Sequence, residues 1–293
     1  MYRIEIIEAG NFYVDGGAIF GAVPKKIWSQ KYPSNDENLC LLSMRCILAT
    51  SKDRRILIDV GMGDKYPDRI KPYFPHNLLS IKDSLHKYGC GLSDITDVML
   101  SHLHFDHCGY STSFVDGRLV PTFPNAKYWI SSKQWETQLN PNRLEADSIF
   151  SDDVLPLRES GQLNFVETDA LLYKGLEVKL FDGHAAGQLV VYLKTDDGVV
   201  VFPGDLIPTA SHLSLEWISA YDLCALTSMN EKERFLQEVA ERGHKIVYCH
   251  DAYTVCSKVG QSGSSFFVEE ATILSSFPRH IETEKYEEKY RKS

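Results

Sequence analysis

The chain has 293 residues, 43% of them hydrophobic, and carries 31 Lys and Arg against 40 Asp and Glu for a formal net charge of −9. That composition suits a chain with a sizeable apolar core, and no stretch reaches the roughly 20 apolar residues of a membrane-spanning helix. An acidic balance without a dense Lys/Arg cluster argues against a polyanionic partner. The opening run Met1-Tyr2-Arg3-Ile4-Glu5-Ile6-Ile7-Glu8 reads as a strand with no apolar export core, so a cytoplasmic location is expected. Seven cysteines are scattered without a C-x-x-C pair, the usage of reduced intracellular thiols.

In chain order, residues 2–7 and 40–50 read as strands, and Arg55 to Asp59 as a third, stopped by Val60-Gly61-Met62-Gly63. Helical spacing predicts a helix over Asn77 to Tyr88, ended by Gly89 and Gly91. Short strands follow at 98–100 and 128–130, then at 176–181, which runs into Asp182-Gly183-His184. The apolar strand 198–202 leads into Pro203-Gly204-Asp205, and the strand 245–249 into His250-Asp251. Between them a helix is predicted over Asn230 to Arg242, with Asn230 as N-cap and Glu233 three residues on. Residues 282–292 mix both charge signs and read as a solvated helix or frayed tail. The loop from Gly61 to Pro75 reads as a candidate lid. Each cluster of ligand-type residues follows an apolar strand, and strand ends deliver side chains to one rim of a sheet. Two mixed halves of similar order predict an α/β fold with two packed sheets and helices outside.

The densest cluster is Ser101-His102-Leu103-His104-Phe105-Asp106-His107, the pattern His-x-His-x-Asp-His. In an extended segment His102 and His104 point to the same side and can grip one ion. Asp106 and His107 lie just beyond, where the chain must turn, and can face a second. Imidazole suits zinc and similar ions, the carboxylate adds a hard ligand, and a catalytic zinc keeps one position for water. A solvated His-rich loop is the bland alternative.

With His184, Asp205 and His250 following in order, the sequence resembles the metallo-beta-lactamase superfamily over nearly its whole length. The resemblance implies a four-layer αββα sandwich, two mixed β-sheets flanked by helices, as one domain over residues 1–293. It implies two divalent ions, with His102, His104 and His184 on one, Asp106, His107 and His250 on the other, and Asp205 between them. Zinc is the expected metal, although manganese, iron or cobalt suit the same ligands. Asp59 resembles the family's early Asp-x-Gly turn, where it supports a metal ligand from behind; a plain turn aspartate is the other reading. The family's usual Gly-His-Thr-Pro-Gly-His is replaced by Gly183-His184-Ala185-Ala186-Gly187-Gln188, which keeps the histidine and changes its flanks.

Two metals about 3.5–4 Å apart supply hydroxide at neutral pH, so the implied reaction is hydrolysis of an electrophilic ester-like bond. Asp205 and Asp106 are the expected catalytic residues. Asp205 holds both ions, and Asp106 orients the water or passes a proton to the leaving oxygen. The stretches 94–107 and 204–222 look like the branch that holds quorum-quenching N-acyl homoserine lactonases and methyl parathion hydrolase-like enzymes, which implies a lactone or related ester as substrate. That branch carries a substrate-binding tyrosine where this chain has Pro208. Tyr221 and His212 are candidates to take its place, and Trp217, Tyr221, Tyr73 and Phe74 to line an apolar pocket, with plain packing the alternative for each. Phosphotriester or aryl ester hydrolysis, glyoxalase II-like thioester hydrolysis, a nuclease and a non-catalytic metal-binding protein are the competing functions. The expected partner is a small ester-like molecule, with neither nucleic acid nor membrane, and a homodimer is left open.

Overall fold

A computed structural model describes residues 1–271; the tail expected at 282–293 lies outside the described residues. Two seven-stranded sheets dominate. The first orders its strands as Pro75–His76, Arg3–Asp15, Leu39–Thr50, Arg55–Ile58, Asp97–Met99, Lys127–Ser131 and Leu163–Val166. The second runs Ala170–Tyr173, Leu176–Phe181, Gln188–Thr195, Gly198–Phe202, Lys245–Val247, Cys256–Ser262 and Ser265–Glu270.

Strand side chains alternate between faces, and the apolar sequence pattern builds three layers of core on that alternation. Ile56 and Ile58 join Val200, Phe202, Leu189 and Val191 in a cluster between the sheets. Leu57, from the same strand as Ile56, faces the opposite side. There it belongs to the cluster that includes Leu85 of the helix Ile81–His86 and Val154 and Leu157 of the helix Ser151–Glu159. On the outer face of the second sheet, Val201 and Ile246 pack on Phe235, Leu236 and Val239 of the helix Ala225–Arg242. Helix, sheet, sheet and helix thus form the four-layer αββα sandwich, with buried Val, Ile and Leu supplying most of the interior.

Strand direction fixes where the loops emerge. Arg55–Ile58, Asp97–Met99, Lys127–Ser131 and Leu163–Val166 are mutually parallel. Gly198–Phe202 is parallel to Lys245–Val247, and two antiparallel steps put Leu176–Phe181 in the same direction. Parallel strands end at one rim, so the segments after Ile58, Met99, Phe181, Phe202 and Val247 share an edge of the molecule. The two sheets are stitched together there. Leu189 N donates to Ser101 O (2.7 Å), Arg45 N to Cys249 O (2.9 Å) and Ser43 N to His250 O (3.1 Å).

Several boundaries differ from the sequence reading. The first strand runs on to Asp15 through a bulge between Glu8 and Asn11, because its neighbour Leu39–Thr50 pairs with it throughout. The helix expected from Asn77 starts only at Ile81, capped by the Ser80 hydroxyl (3.1 Å to Asp83 N). Asn77 adopts a left-handed backbone (φ 48°), and Leu79 N bonds Ala9 O, so this stretch is spent on the sheet edge. The helix expected at Asn230 starts five residues earlier, at Ala225, which leaves Asn230 inside it and no side-chain cap. The candidate lid contains the helical turns Pro67–Ile70 and Lys71–Tyr73.

Candidate metal centre

Seven side chains converge at the shared rim. Ser101 lies two residues beyond the strand Asp97–Met99, and His102 to His107 turn out of the sheet edge into a short helix at Phe105–Cys108. The turn is tight: a Cβ on Gly109 would stand 2.2 Å from Met62 O, so only glycine lets this segment close on the neighbouring loop. His184 lies beyond Phe181, Asp205 beyond Phe202 and His250 beyond Val247.

Their ligand atoms fall into two groups. His102 Nε2, His104 Nδ1 and His184 Nε2 stand 2.9–3.3 Å apart. A tetrahedron of nitrogens about 2.0–2.1 Å from zinc has edges of about 3.3 Å, so this triad has the dimensions of a metal site. His107 Nε2 and His250 Nε2 are 3.0 Å apart, with Asp106 Oδ2 at 3.5 and 3.4 Å from them. Asp205 reaches both groups: Oδ1 lies 3.3 Å from His107 and 3.1 Å from His250, and Oδ2 lies 3.4 Å from His184. Each group of three fits one divalent ion, with Asp205 able to bridge.

The surroundings prepare the ligands electrostatically. Burial, reinforced by the neighbouring imidazoles, holds His102 well below its usual pKa, and burial likewise lowers His104; both are kept neutral, as ligation requires. Burial opposes charge on His107, His184 and His250 as well, but adjacent carboxylates outweigh it and raise all three. Asp205 is driven up by burial and down further by His250, His107 and His184, so its carboxyl sits well below the ordinary range. Buried imidazole nitrogens meeting head-on beside carboxylates call for positive charge between them, which divalent cations would supply.

Each of four histidines is oriented by a bond to its other ring nitrogen. Asp59, in a left-handed turn (φ 55°), accepts from Ser101 N (2.7 Å) and Ser101 Oγ (2.7 Å) and lies 2.8 Å from His107 Nδ1. Asp222 Oδ1 is 2.9 Å from His184 Nδ1, Ser43 O is 2.8 Å from His250 Nδ1, and Ser101 Oγ is 3.1 Å from His102 Nδ1. Burial, then the Asp205 carboxylate, pushes the Cys249 thiol well above its usual pKa, so it keeps its proton and donates to Asp205 Oδ1 (3.2 Å).

The sequence reading gave no structural role to the amide side chains Gln134 and Gln188. Gln134 accepts from Leu103 N (2.8 Å) and donates to Ala186 O (2.7 Å), tying the histidine run to the His184 loop. Gln188 accepts from Asp205 N (3.2 Å) and donates to Pro203 O (3.1 Å). It stands where the family's last motif histidine was expected and secures the backbone of the bridging aspartate instead.

A cavity opens over the cluster. His104, Asp106, His184, Asp205 and His250 form its polar floor, and Phe12, Val14, Ile19, Leu42, Tyr73, Phe105 and Tyr221 form most of its walls. Of the residues expected to contact substrate, Tyr221 lines this cavity and is 48% exposed. The structure places His212 and Trp217 elsewhere, as packing residues. His212 is buried, bonded to Thr209 Oγ1 (2.7 Å) and Ile19 O (2.9 Å) and stacked on Phe20. Trp217 packs edge-on against Phe20 in the core. Pro208 is buried, and its carbonyl accepts from His250 N (3.0 Å). Tyr73 reaches the cavity, while Phe74 points into a separate cleft.

Comparison with known proteins matches this architecture. Among curated proteins, Integrator complex subunit 11 of Danio rerio is 26% identical over 228 residues, 69% of this chain and 36% of that one. An RNase J-like protein of Methanocaldococcus jannaschii is 23% identical over 167 residues, 56% of this chain and 34% of that one. The chain thus spans about a third of the length of these relatives. Among solved structures, a probable metal-dependent hydrolase from Staphylococcus aureus superposes with a TM-score of 0.82 at 25% identity, over 93% of this chain and 98% of that one. The dizinc quorum-quenching lactonase AidC, in complex with a product, superposes with a TM-score of 0.77 at 19% identity, over 92% of this chain and 94% of that one. Residues 45–250 match the Metallo-beta-lactamase superfamily domain, and the chain belongs to that superfamily, with its metal-dependent hydrolase fold.

Proposed function

We propose that this protein is a dinuclear zinc hydrolase of lactones or related esters carrying an apolar acyl or aryl group, with N-acyl homoserine lactones as the leading class. The observation that carries the reading is the cavity itself, in which two ligand sets floor a pocket walled by aliphatic and aromatic side chains. An apolar group buried on those walls directs its polar ester end to the floor. Bound divalent ions supply Lewis acidity and a water nucleophile ionised near neutral pH.

The chain's own groups do the remaining work. Asp205 spans both ligand sets and fixes their separation. Asp106 stands at the cavity floor beside His107 and His250 and is placed to carry a proton to the leaving oxygen. Tyr221 takes the place that Pro208 vacates: its ring is in the cavity, whereas His212 is committed to Thr209 and Ile19. In this reading its phenol donates to the substrate carbonyl.

The test is proton release from a long-chain N-acyl homoserine lactone by the zinc-loaded protein, with a chelator-treated control and an aryl phosphotriester and a single-stranded RNA alongside. Saturable, chelator-sensitive lactone turnover, with Tyr221→Phe losing about 10-fold or more in kcat/KM, supports the reading. Turnover of RNA alone overturns it and establishes the second reading, a nuclease, which the match to an RNase J-like protein favours.

A further inference from the structure

We propose that Glu145 is a positioning residue of the metal centre, accepting the Nε2 proton of His104 when Nδ1 of that ring holds a metal; this rests on the reading of His102, His104 and His184 as metal ligands. Four of the five clustered histidines have a hydrogen-bond partner on the nitrogen that faces away from the cluster. His104 lacks one, because its Nε2 is buried with no hydrogen-bond partner among the described residues. Glu145 is 3% exposed, and both of its carboxyl oxygens are likewise buried without a hydrogen bond. Oε2 stands 3.8 Å from His104 Nε2. Each of these unsatisfied groups is the chemical complement of the other.

Leaving a buried carboxyl without a hydrogen bond costs free energy, so its place in the cavity wall asks for a cause. Ligation supplies one. His104 faces His102 and His184 through Nδ1, and an imidazole bound through one nitrogen carries its proton on the other. The proton on Nε2 then points at Glu145, and a movement of about 1 Å brings the pair into the range of about 2.7–2.9 Å for a charge-assisted hydrogen bond. The loop is built to hold the carboxyl in place. Asn142 Oδ1 accepts from Leu144 N (2.8 Å) and Glu145 N (3.3 Å), and Tyr73 Oη donates to Asp147 O (2.9 Å).

The experiment uses the full chain with Zn2+ and a competing chelator, together with the melting temperature of the chelator-treated protein. Wild type is compared with Glu145→Leu, which keeps the volume and removes the acceptor, and Glu145→Gln, which keeps an acceptor oxygen. The expected result is a loss of roughly 10- to 100-fold in affinity for one zinc in Glu145→Leu, substantial recovery in Glu145→Gln, and a metal-free Glu145→Leu protein that melts at or above wild type. Equal zinc retention by Glu145→Leu and wild type overturns the proposal. So does equal loss in both variants, which would mark a structural role. Wild type that binds no zinc overturns the metal reading and this inference with it.

Discussion

Asp59 joins an unfavourable backbone to three favourable side-chain contacts. Its left-handed φ of 55° is one that aspartate adopts at some cost, yet its two oxygens serve Ser101 N, Ser101 Oγ and His107 Nδ1. Asp59→Asn keeps the size and turns one oxygen into a donor facing groups that already donate. The expected result is about a 10- to 100-fold loss in affinity for the metal held with His107, seen as chains retaining one metal where wild type retains two after dialysis; two retained metals would refute the role. His212 makes a different prediction. Burial, with Lys232 nearby, lowers its pKa from 6.5 to about 4. Its neutral form therefore contributes stability that is complete above about 6.5 and is lost as the pH falls towards 4. A His212→Gln variant should lose that part of the acid slope in urea unfolding between pH 4 and 6.5, and an unchanged slope would exclude His212 as its source. At this scale the sequence was informative where ligands are neighbours along the chain. His102, His104, Asp106 and His107 stand out because covalent spacing alone brings them together. Gln134, Gln188 and Glu145 do not, since each meets its partner only after remote segments fold together, and a lone Gln or Glu carries no local mark of that.

Elements were legible where their pattern is strictly alternating or apolar, as in Arg55–Ile58 and Gly198–Phe202. They were misjudged where a side chain's use is tertiary. The helix Ala225–Arg242 begins ahead of its N-cap-like Asn230 because its early turns are held by other parts of the fold. Glu231 accepts from Asp182 N (3.0 Å) and Gly183 N (2.9 Å), next to His184. Lys232, 1% exposed, donates to Ser214 O (3.0 Å), Leu215 O (3.4 Å) and Trp217 O (2.7 Å). One helix therefore anchors the His184 loop and the segment that leads to Asp222 and Tyr221. Lys232→Met preserves the stem and leaves three carbonyls without their donor. The expected cost is about 2–4 kcal/mol, read as a lower urea midpoint at unchanged m-value, with KM rising more than kcat falls because Tyr221 loses its support. A stability change within about 0.5 kcal/mol would show that water replaces the amine.

At the scale of the whole molecule, the candidate metal ligands are contributed by both sheets. His102 to His107 come from the first sheet's rim, and His184, Asp205 and His250 from the second. The Asp205 carboxylate lies between the candidate ligand sets, so ions bound there would clamp the sandwich shut at the edge where Ser101–Leu189 and Arg45–Cys249 backbone bonds already join it. The opposite rim has no such clamp among the described groups that could hold a metal. Ligands that bind only the folded state stabilise it by RT ln(1 + [L]/Kd), about 2.7 kcal/mol for one site at a free concentration of 100 Kd. Two coupled zinc sites, as proposed for this centre, would therefore give a melting temperature that rises with free zinc more steeply than one site allows. The same clamp dictates where protection appears: amide exchange should slow on zinc addition at residues 100–109, 183–189 and 203–209, from both sheets, and stay unchanged at Cys256–Glu270. Melting that ignores zinc, or protection confined to one sheet, would show that the ions do not bridge the halves.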